Sequence, residues 1–458
     1  MARLSAWHRA WLPGALSPGE TSLLRLHIAS SLLTGIVNGA LNLADVTLAK
    51  TLGASALQVT ALSVVTGIAY LGALFLGGAM HGRRKAPFIL LYGIVGRLGL
   101  WLLAASGDPR WFLAVIALTS MTQALIVTAQ ISIIKRAYRE ENRSSLFGLT
   151  VSAATFFQLL TTVAFGWLMD WNERAYPIYF GLAGVAGFIG AFLLAEMEVA
   201  IARGGSARPG RESRGRAWFE PPSPPLLEAY RPMALPSVAA TMQSMRGSVR
   251  LILRILRQDR AFACYERNFF IYGVSILAIG PVVPLFLVHD LGMDYGLIGI
   301  AKGFLGQAGM ILLTPLMGPP LQRQGPSRFS ACYFALLALH PLLLALAAAF
   351  PGMRLPIVFL SFAVFGVAMA GVNLVWSLSG IFFARDEDPS AYQSAHTALT
   401  GVRGGTAPLL GFAVMQAGSK VLAFVLSGAL FLIAAGLMAR MARRTPQTCV
   451  DAGAAPSL

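Results

Sequence analysis

Twelve apolar runs, each about 20 residues long, follow one another along this chain, and each is long enough to span the hydrocarbon of a bilayer as a helix. They lie at 26–45, 56–79, 87–106, 111–133, 147–168 and 177–196, and then at 262–288, 296–317, 328–349, 354–380, 393–415 and 419–440. Lipid offers no hydrogen bonds to a backbone, so each run is expected to satisfy its own N–H and C=O groups as an α-helix. Only 12% of the residues are charged, against about 25% in an ordinary soluble domain. A soluble fold has no polar faces to spare for twelve such runs. Pro281 and Pro284 fall inside the seventh run, where a missing N–H predicts a break or kink.

The basic residues orient the chain. With the N-terminus in the cytoplasm, 27 of the 36 Lys and Arg residues fall on that side, five fall on the other, and Arg97, Arg267, Lys302 and Arg403 fall within spans. This asymmetry predicts that both termini are cytoplasmic. It also accounts for most of the net charge of +16 and points to anionic lipid head groups as the counter-surface, with no nucleic-acid partner. Few Lys beside many Arg suggest a bacterial chain, hence the cytoplasmic (inner) membrane. The N-terminal segment lacks the apolar core and small-residue cleavage site of a signal peptide, so the first run is expected to be retained. Cys264, Cys332 and Cys449 show neither metal-ligand spacing nor a disulfide framework, and neither a cofactor nor a metal is expected.

The expected organisation is a cytoplasmic segment (1–25), six spans (26–197), a basic cytoplasmic linker (198–260), six more spans (261–441) and a cytoplasmic tail (442–458). The early linker, "ARGGSARPGRESRGRAWFEPPSPPLLEAYRP", has the Gly, Pro, Ser and Arg content of a flexible segment. Its end, "RGSVRLILRILRQDR", sets Arg246, Arg250, Arg254 and Arg257 along one helical face. That pattern predicts an amphipathic helix on the inner membrane surface; a simple lead-in to the seventh span satisfies it equally.

Between the second and third spans stands "FLGGAMHGRRKAPFIL", in which Gly82, Arg83, Arg84 and Lys85 form a Gly-Arg-Arg-Lys ending. The matching connection of the second half, "GPPLQRQGPSR", keeps Gly318, Arg323, Gly325 and Arg328. "REENRSSLFGL" precedes the fifth span with Arg143 and Gly148. Together with the six-plus-six plan, these loops resemble the major facilitator superfamily of secondary transporters. The resemblance implies an all-α integral membrane protein with twelve transmembrane helices in two pseudo-symmetric six-helix bundles that rock about a central site. It also implies a gate role for Gly82, Arg83, Arg84, Lys85, Arg323 and Arg328. The family's usual acidic and basic pair falls on Ala79 and Met80, so the acid of this loop is absent, as it is in the second half.

Charges within spans need a partner or a cavity. Arg97 and Arg403 lie deep in the third and eleventh spans; Lys302 lies near the outer end of the eighth, and Glu266 and Arg267 near the inner end of the seventh. Asn38, Asn42 and Asp45 share a face of a continuous helix, as do His396, Thr400 and Arg403. The last three are expected to line the inner passage, with Gly401, Gly404 and Gly405 allowing close helix approach. Gln123, Gln158, Asn373 and Trp376 are further cavity candidates. Asp45, Glu266 and His396 are the candidates for carrying a proton, imidazole being the side chain that ordinarily titrates nearest neutrality.

The expected function is secondary transport of a small solute by alternating access, with protons as candidate coupling ion. The excess of intramembrane cations favours an anionic or zwitterionic substrate. A monomer is expected. No cluster of acids, histidines or nucleophiles suggests an enzyme. The alternative is a non-transporting scaffold or assembly factor on a transporter fold.

Overall fold

Segments that must bond their own backbone fold as helices, and a computed structural model of the chain shows how they assemble. It describes residues 16–80, 84–202, 238–384 and 389–444. Among them no strand occurs. The first half comprises α1 (Pro18–Leu41), its short continuation α2 (Ala44–Lys50), α3 (Ala56–Met80), α4 (Ala86–Leu91), α5 (Pro109–Ala137), α6 (Glu140–Trp171) and α7 (Tyr176–Ala202). Helix α4 continues through a π turn (Tyr92–Arg97) and a 3-10 stretch (Leu98–Ala105). After α8 (Val238–Gln258) come α9 (Arg260–Ala278), α10 (Val282–Leu285) and a π turn (Phe286–Asp290). Helix α11 (Tyr295–Gly299) passes through a π turn (Ile300–Leu305) into α12 (Gly306–Leu313). Helices α13 (Gly318–Ala349), α14 (Arg354–Ala384), α15 (Pro389–Ala417) and α16 (Lys420–Arg444) complete the chain. Apart from α8, these helices follow the apolar runs in the predicted order, and among the described residues nine stretches are long and apolar enough to cross a membrane on composition alone.

The helices overrun the apolar runs. The run at 147–168 becomes a helix from Glu140 to Trp171. Hydropathy marks the hydrocarbon slab, while the helix continues into the head-group zone, where charged residues meet water. Local chemistry sets the ends. Ser17 and Glu20 make a reciprocal capping box with Pro18 in the first turn of α1. Asp259 caps α9 by accepting from the Phe262 N–H at 2.9 Å. The seventh span breaks between Ala278 and Val282, where Pro281 has no N–H to give. Gly325 (φ 70°) kinks α13 just before Pro326, a conformation for which glycine has no steric penalty. The first span also breaks, at Asn42–Leu43, so Asp45 sits on α2 and not on one continuous face with Asn38.

In the first half α1 packs against α6 and α7, and in the second α13 packs against α14 and α16 while α9 packs against α15 and α16. The two most extensive crossings between the halves are α3 with α15, and α6 with α11 and the turn beyond it; α2 also meets α10 and the π turn after it. The two larger crossings need small residues. A Cβ on Gly67 would lie 2.4 Å from the Gly404 carbonyl oxygen, and one on Gly166 would lie 2.6 Å from that of Tyr295. The connections at 51–55, 172–175 and 291–294 lie on one face of the bundle, here the hairpin face. Helix α8 lies at the opposite, linker face.

The amphipathic stripe of α8 is real; protein covers part of it, while Val249, Leu251 and Leu253 stay exposed. Ile252 and Ile255 are buried in a cluster with Phe262, Ala384, Tyr392, Ala395 and Ala398. Arg246, Arg250, Arg254 and Arg257 face outward and are exposed. An apolar face that fits a neighbouring helix bundle is satisfied there as well as in lipid. Residues 203–237 of the linker lie outside the described residues.

Candidate functional site

A buried polar cluster lies in the second half, where α9 meets α15. Glu266 and Phe269 project from α9; His396, Thr400 and Arg403 project from α15 at the spacing that shares one helix face. His396 Nδ1 stands 2.9 Å from Oε1 and 3.0 Å from Oε2 of Glu266. Both side chains are sealed, at 0% and 2% exposure. Two turns further along α15, the Arg403 guanidinium donates to the Phe269 carbonyl and to Thr400 Oγ1, each at 2.8 Å. Thr400 donates in turn to the His396 carbonyl at 3.0 Å, and Trp376 Nε1 approaches Thr400 Oγ1 at 3.4 Å. The His396 ring stands edge-on to Phe269 and Trp376. Gly273 makes room for this arrangement, because a Cβ there would lie 2.3 Å from Arg403 Cδ.

Four buried polar atoms on these two helices have no protein partner: His396 Nε2, Arg403 Nε, Gln393 Oε1 and Asn268 Nδ2. Buried groups of this kind are ordinarily satisfied by water or a ligand. His396 and Arg403 make their hydrogen bonds to α9 of their own bundle, and Thr400 bonds to both of them and to Trp376. The glycines of α15 face the other half instead: Gly404 meets Gly67, and Gly401 meets Leu71. A small-residue stripe permits the closest helix approach, so it takes the inter-bundle crossing and leaves the long polar side chains to the intra-bundle contact.

A second group joins the halves toward the hairpin face. Lys302 Nζ lies 2.8 Å from both carboxylate oxygens of Asp45. Asp170, at the end of α6, accepts from the Tyr295 N–H at 2.7 Å and the Gly296 N–H at 2.6 Å. It thereby occupies the N-terminus of α11 with negative charge, where the helix dipole favours it. Lys50 Nζ donates to the Met293 carbonyl at 2.9 Å, and Thr51 and Tyr295 hydroxyls meet at 2.5 Å. These hydrogen bonds cross between the two halves and close this face. Lys302, like Arg97, sits in a π turn, a feature that often marks functional sites in helices.

A third group belongs to the first half. Arg97, 1% exposed, donates through Nε to the Tyr92 hydroxyl at 2.7 Å and through Nη2 to Gln123 Oε1 at 3.1 Å. Its partners are neutral.

The remaining candidates are dispersed. Asn42 reaches Thr162 at 3.5 Å, with Asn38 and Gln158 half-buried one turn away along α1 and α6. Asn373 is exposed and directs its amide to Met310 Sδ at 3.0 Å. Arg267 turns away from its neighbour Glu266 to the bundle periphery, where it contacts Asn268 Oδ1 and Cys264 Sγ. Of the gate-loop residues, Arg84, Arg323 and Arg328 are exposed, while Gly82 and Arg83 lie outside the described residues.

Sequence reasoning overlooked three acids: Asp170, Glu198 and Glu20. Glu198, near the end of α7, accepts from the Lys85 N–H at 2.7 Å and from the Ala86 N–H, and Arg136 Nη2 lies 3.1 Å from it. The loop before α4 thus lacks an acid of its own and borrows one from the sixth span. Burial pushes the Lys85 ammonium below its ordinary value; Glu198 opposes the shift and Arg136 adds to it. Glu20 accepts the Arg139 N–H at 3.0 Å. The available signal was position alone: each acid stands near the end of an apolar run, where it reaches another helix's first N–H groups.

The family model described as Major Facilitator Superfamily matches residues 27–304. Among solved structures, a POT family transporter in complex with 5-aminolevulinic acid is similar, with a TM-score of 0.70 and 11% identity, over 93% of this chain and 96% of that one. The peptide transporter POT in complex with sulfate gives 0.65 and 13%, over 92% and 94%. The nucleoside transporter NupG gives 0.54 and 16%, over 93% and 98%. At these identities the likeness is one of fold. No curated protein matches the sequence.

Proposed function

The chain belongs to the Major Facilitator Superfamily, and on that scaffold we propose that it is a proton-coupled secondary transporter of a small anionic or zwitterionic solute. The observation that carries this reading is the sealed Glu266–His396 pair, with Arg403 two turns further along α15. A carboxylate and an imidazole in contact share a proton site whose charge is costly to change while the site stays dry. Alternating access supplies the change of environment. When the bundles rock, α15 shifts against α3 at the Gly67–Gly404 crossing, and water reaches the pair from one face at a time. The orphan nitrogens of His396 and Arg403 are the groups that such water or solute would satisfy.

The hairpin-face gate completes the cycle. Asp45–Lys302 and the Asp170 cap on α11 hold that face shut here and separate when it opens. The Lys and Arg asymmetry supports a cytoplasmic linker face in a bacterial inner membrane, with both termini on that side. Lys302 is neutralised by Asp45, so the substrate preference rests on Arg97 and Arg403, whose hydrogen-bond partners are uncharged. The scaffold alternative drew on the missing loop acid, and the borrowing of Glu198 weakens that argument. The test is solute-dependent flux in sealed vesicles containing the purified protein. A screen for solutes that raise its thermal stability precedes it, since a ligand bound to the folded state stabilises by mass action. Binding without flux under any imposed gradient would contradict the transporter reading.

A further inference from the structure

Away from the bundle interior, α9 and α16 border a half-open cavity of about 280 Å³ near the linker face. Arg267, Arg440 and Arg444 line it, together with Cys264, Leu437 and Met441. All three arginines are exposed, and among the described residues none pairs with a carboxylate; the only side-chain partners of Arg267 are the neutral Asn268 and Cys264. Three cations converging on a partly apolar cavity with no acid in its wall have an uncompensated demand for an anion with more than one oxygen acceptor.

Its position selects the kind of anion. Arg267 lies about two turns into α9, and Arg440 lies one turn before the end of α16, so both stand at the depth where head groups meet hydrocarbon. From the cavity an apolar lane runs along α16 toward the hairpin face. Ile433 lies seven residues before Arg440, Leu426 seven before that and Leu422 four further on, so they share one face. Their exposures are 51%, 43% and 43%. A polar socket for an anion, continued by an exposed apolar lane of membrane length, matches a molecule with a phosphate at one end and acyl chains at the other.

We propose that Arg267, Arg440 and Arg444 form a binding site for the phosphate diester of an anionic phospholipid, whose acyl chain lies along Ile433, Leu426 and Leu422. The site is independent of the Glu266–His396 pair and of the transport reading. The bound lipid fills the seam between the seventh and twelfth spans and shields the Cys264 thiol.

Cys264 provides the readout. Full-length protein carrying Cys332→Ser and Cys449→Ser is reconstituted into vesicles of phosphatidylcholine alone or of phosphatidylcholine with phosphatidylglycerol, and the alkylation rate of Cys264 by an uncharged maleimide is measured. Phosphatidylglycerol is expected to slow alkylation about tenfold, and Arg267→Gln with Arg440→Gln and Arg444→Gln to abolish the difference. Millimolar inorganic phosphate added to the phosphatidylcholine vesicles is expected to leave the rate unchanged. Equal rates in the two lipids overturn the proposal without reference to any arginine variant. Slowing that persists in the triple variant also overturns it, because it reports membrane surface charge and not the socket. Protection by inorganic phosphate assigns the cavity to a soluble anion and overturns the lipid. Should the triple variant fail to fold, Arg440→Gln alone is expected to lose part of the protection.

Discussion

Nδ1 of His396 lies 2.9 Å from the carboxylate of Glu266 with both side chains sealed from solvent. Breaking such a buried pair from one side costs about 3–5 kcal/mol when a charge is left alone. A polar neutral replacement separates the proton from the packing. His396→Gln is therefore expected to flatten the pH dependence of uptake while counterflow exchange stays within about threefold of the parent. Parallel loss of both activities together with protein abundance would make the pair purely structural.

The Asp45–Lys302 pair is partly exposed, at 25% and 14%. A pair of that kind contributes about 1 kcal/mol, so Lys302→Gln should shift the closed-to-open ratio of the hairpin face roughly fivefold toward open. Thr47, two residues along α2 from Asp45, is fully buried, and a Thr47→Cys reporter should react faster with an impermeant thiol reagent in the Lys302→Gln background. The exchange Asp45→Lys with Lys302→Asp should restore the slow rate. No acceleration in the single variant would remove this pair from the gate.

At the α3–α15 crossing, Gly67→Ala forces a methyl group to within 2.4 Å of a backbone oxygen. Overpacking of this kind costs about 1–3 kcal/mol. Gly436, on α16, has nothing within 4 Å of its Cβ position. Gly436→Ala should therefore be neutral or slightly stabilising, by up to about 1 kcal/mol. Thermal unfolding in detergent, monitored for both variants, checks the contrast; equal effects would mean the crossing is looser than described.

Glu198→Gln removes the negative charge that accepts the Lys85 and Ala86 N–H groups and meets Arg136. The expected loss is about 1–3 kcal/mol of stability. Asp is too short to span the same gap, so Glu198→Asp should not rescue it. Thermal unfolding of the two variants beside the parent tests this, and full stability of Glu198→Gln would show that the borrowed acid does not hold the start of α4.

Hydropathy and proline placement made the segment order and the break at Pro281 readable from sequence, because lipid imposes one rule on every span. Glu266, His396, Thr400, Arg403, Asp45 and Lys302 were recognisable individually, since a polar group in a long apolar run stands out. Their pairing was not. Asp45 and Lys302 are 257 residues apart, and only the packing of the two bundles brings them together. The direction of the His396 face also depended on its neighbours: the helix wheel placed three polar residues together but could not say whether α9 or a passage lay opposite. Glu198 and Asp170 escaped notice because an acid near a span end resembles any interfacial charge until the N–H groups it accepts from are known.

The most direct test of the central claim is proton movement itself. Sealed vesicles containing the purified protein and an internal pH dye are exposed to a panel of anionic and zwitterionic solutes, with Glu266→Gln vesicles in parallel. The account predicts that a solute which stabilises the protein drives a proton flux through the parent, and that Glu266→Gln binds the same solute without moving protons. Solute uptake with an unchanged internal pH, or equal proton flux through Glu266→Gln, would contradict it.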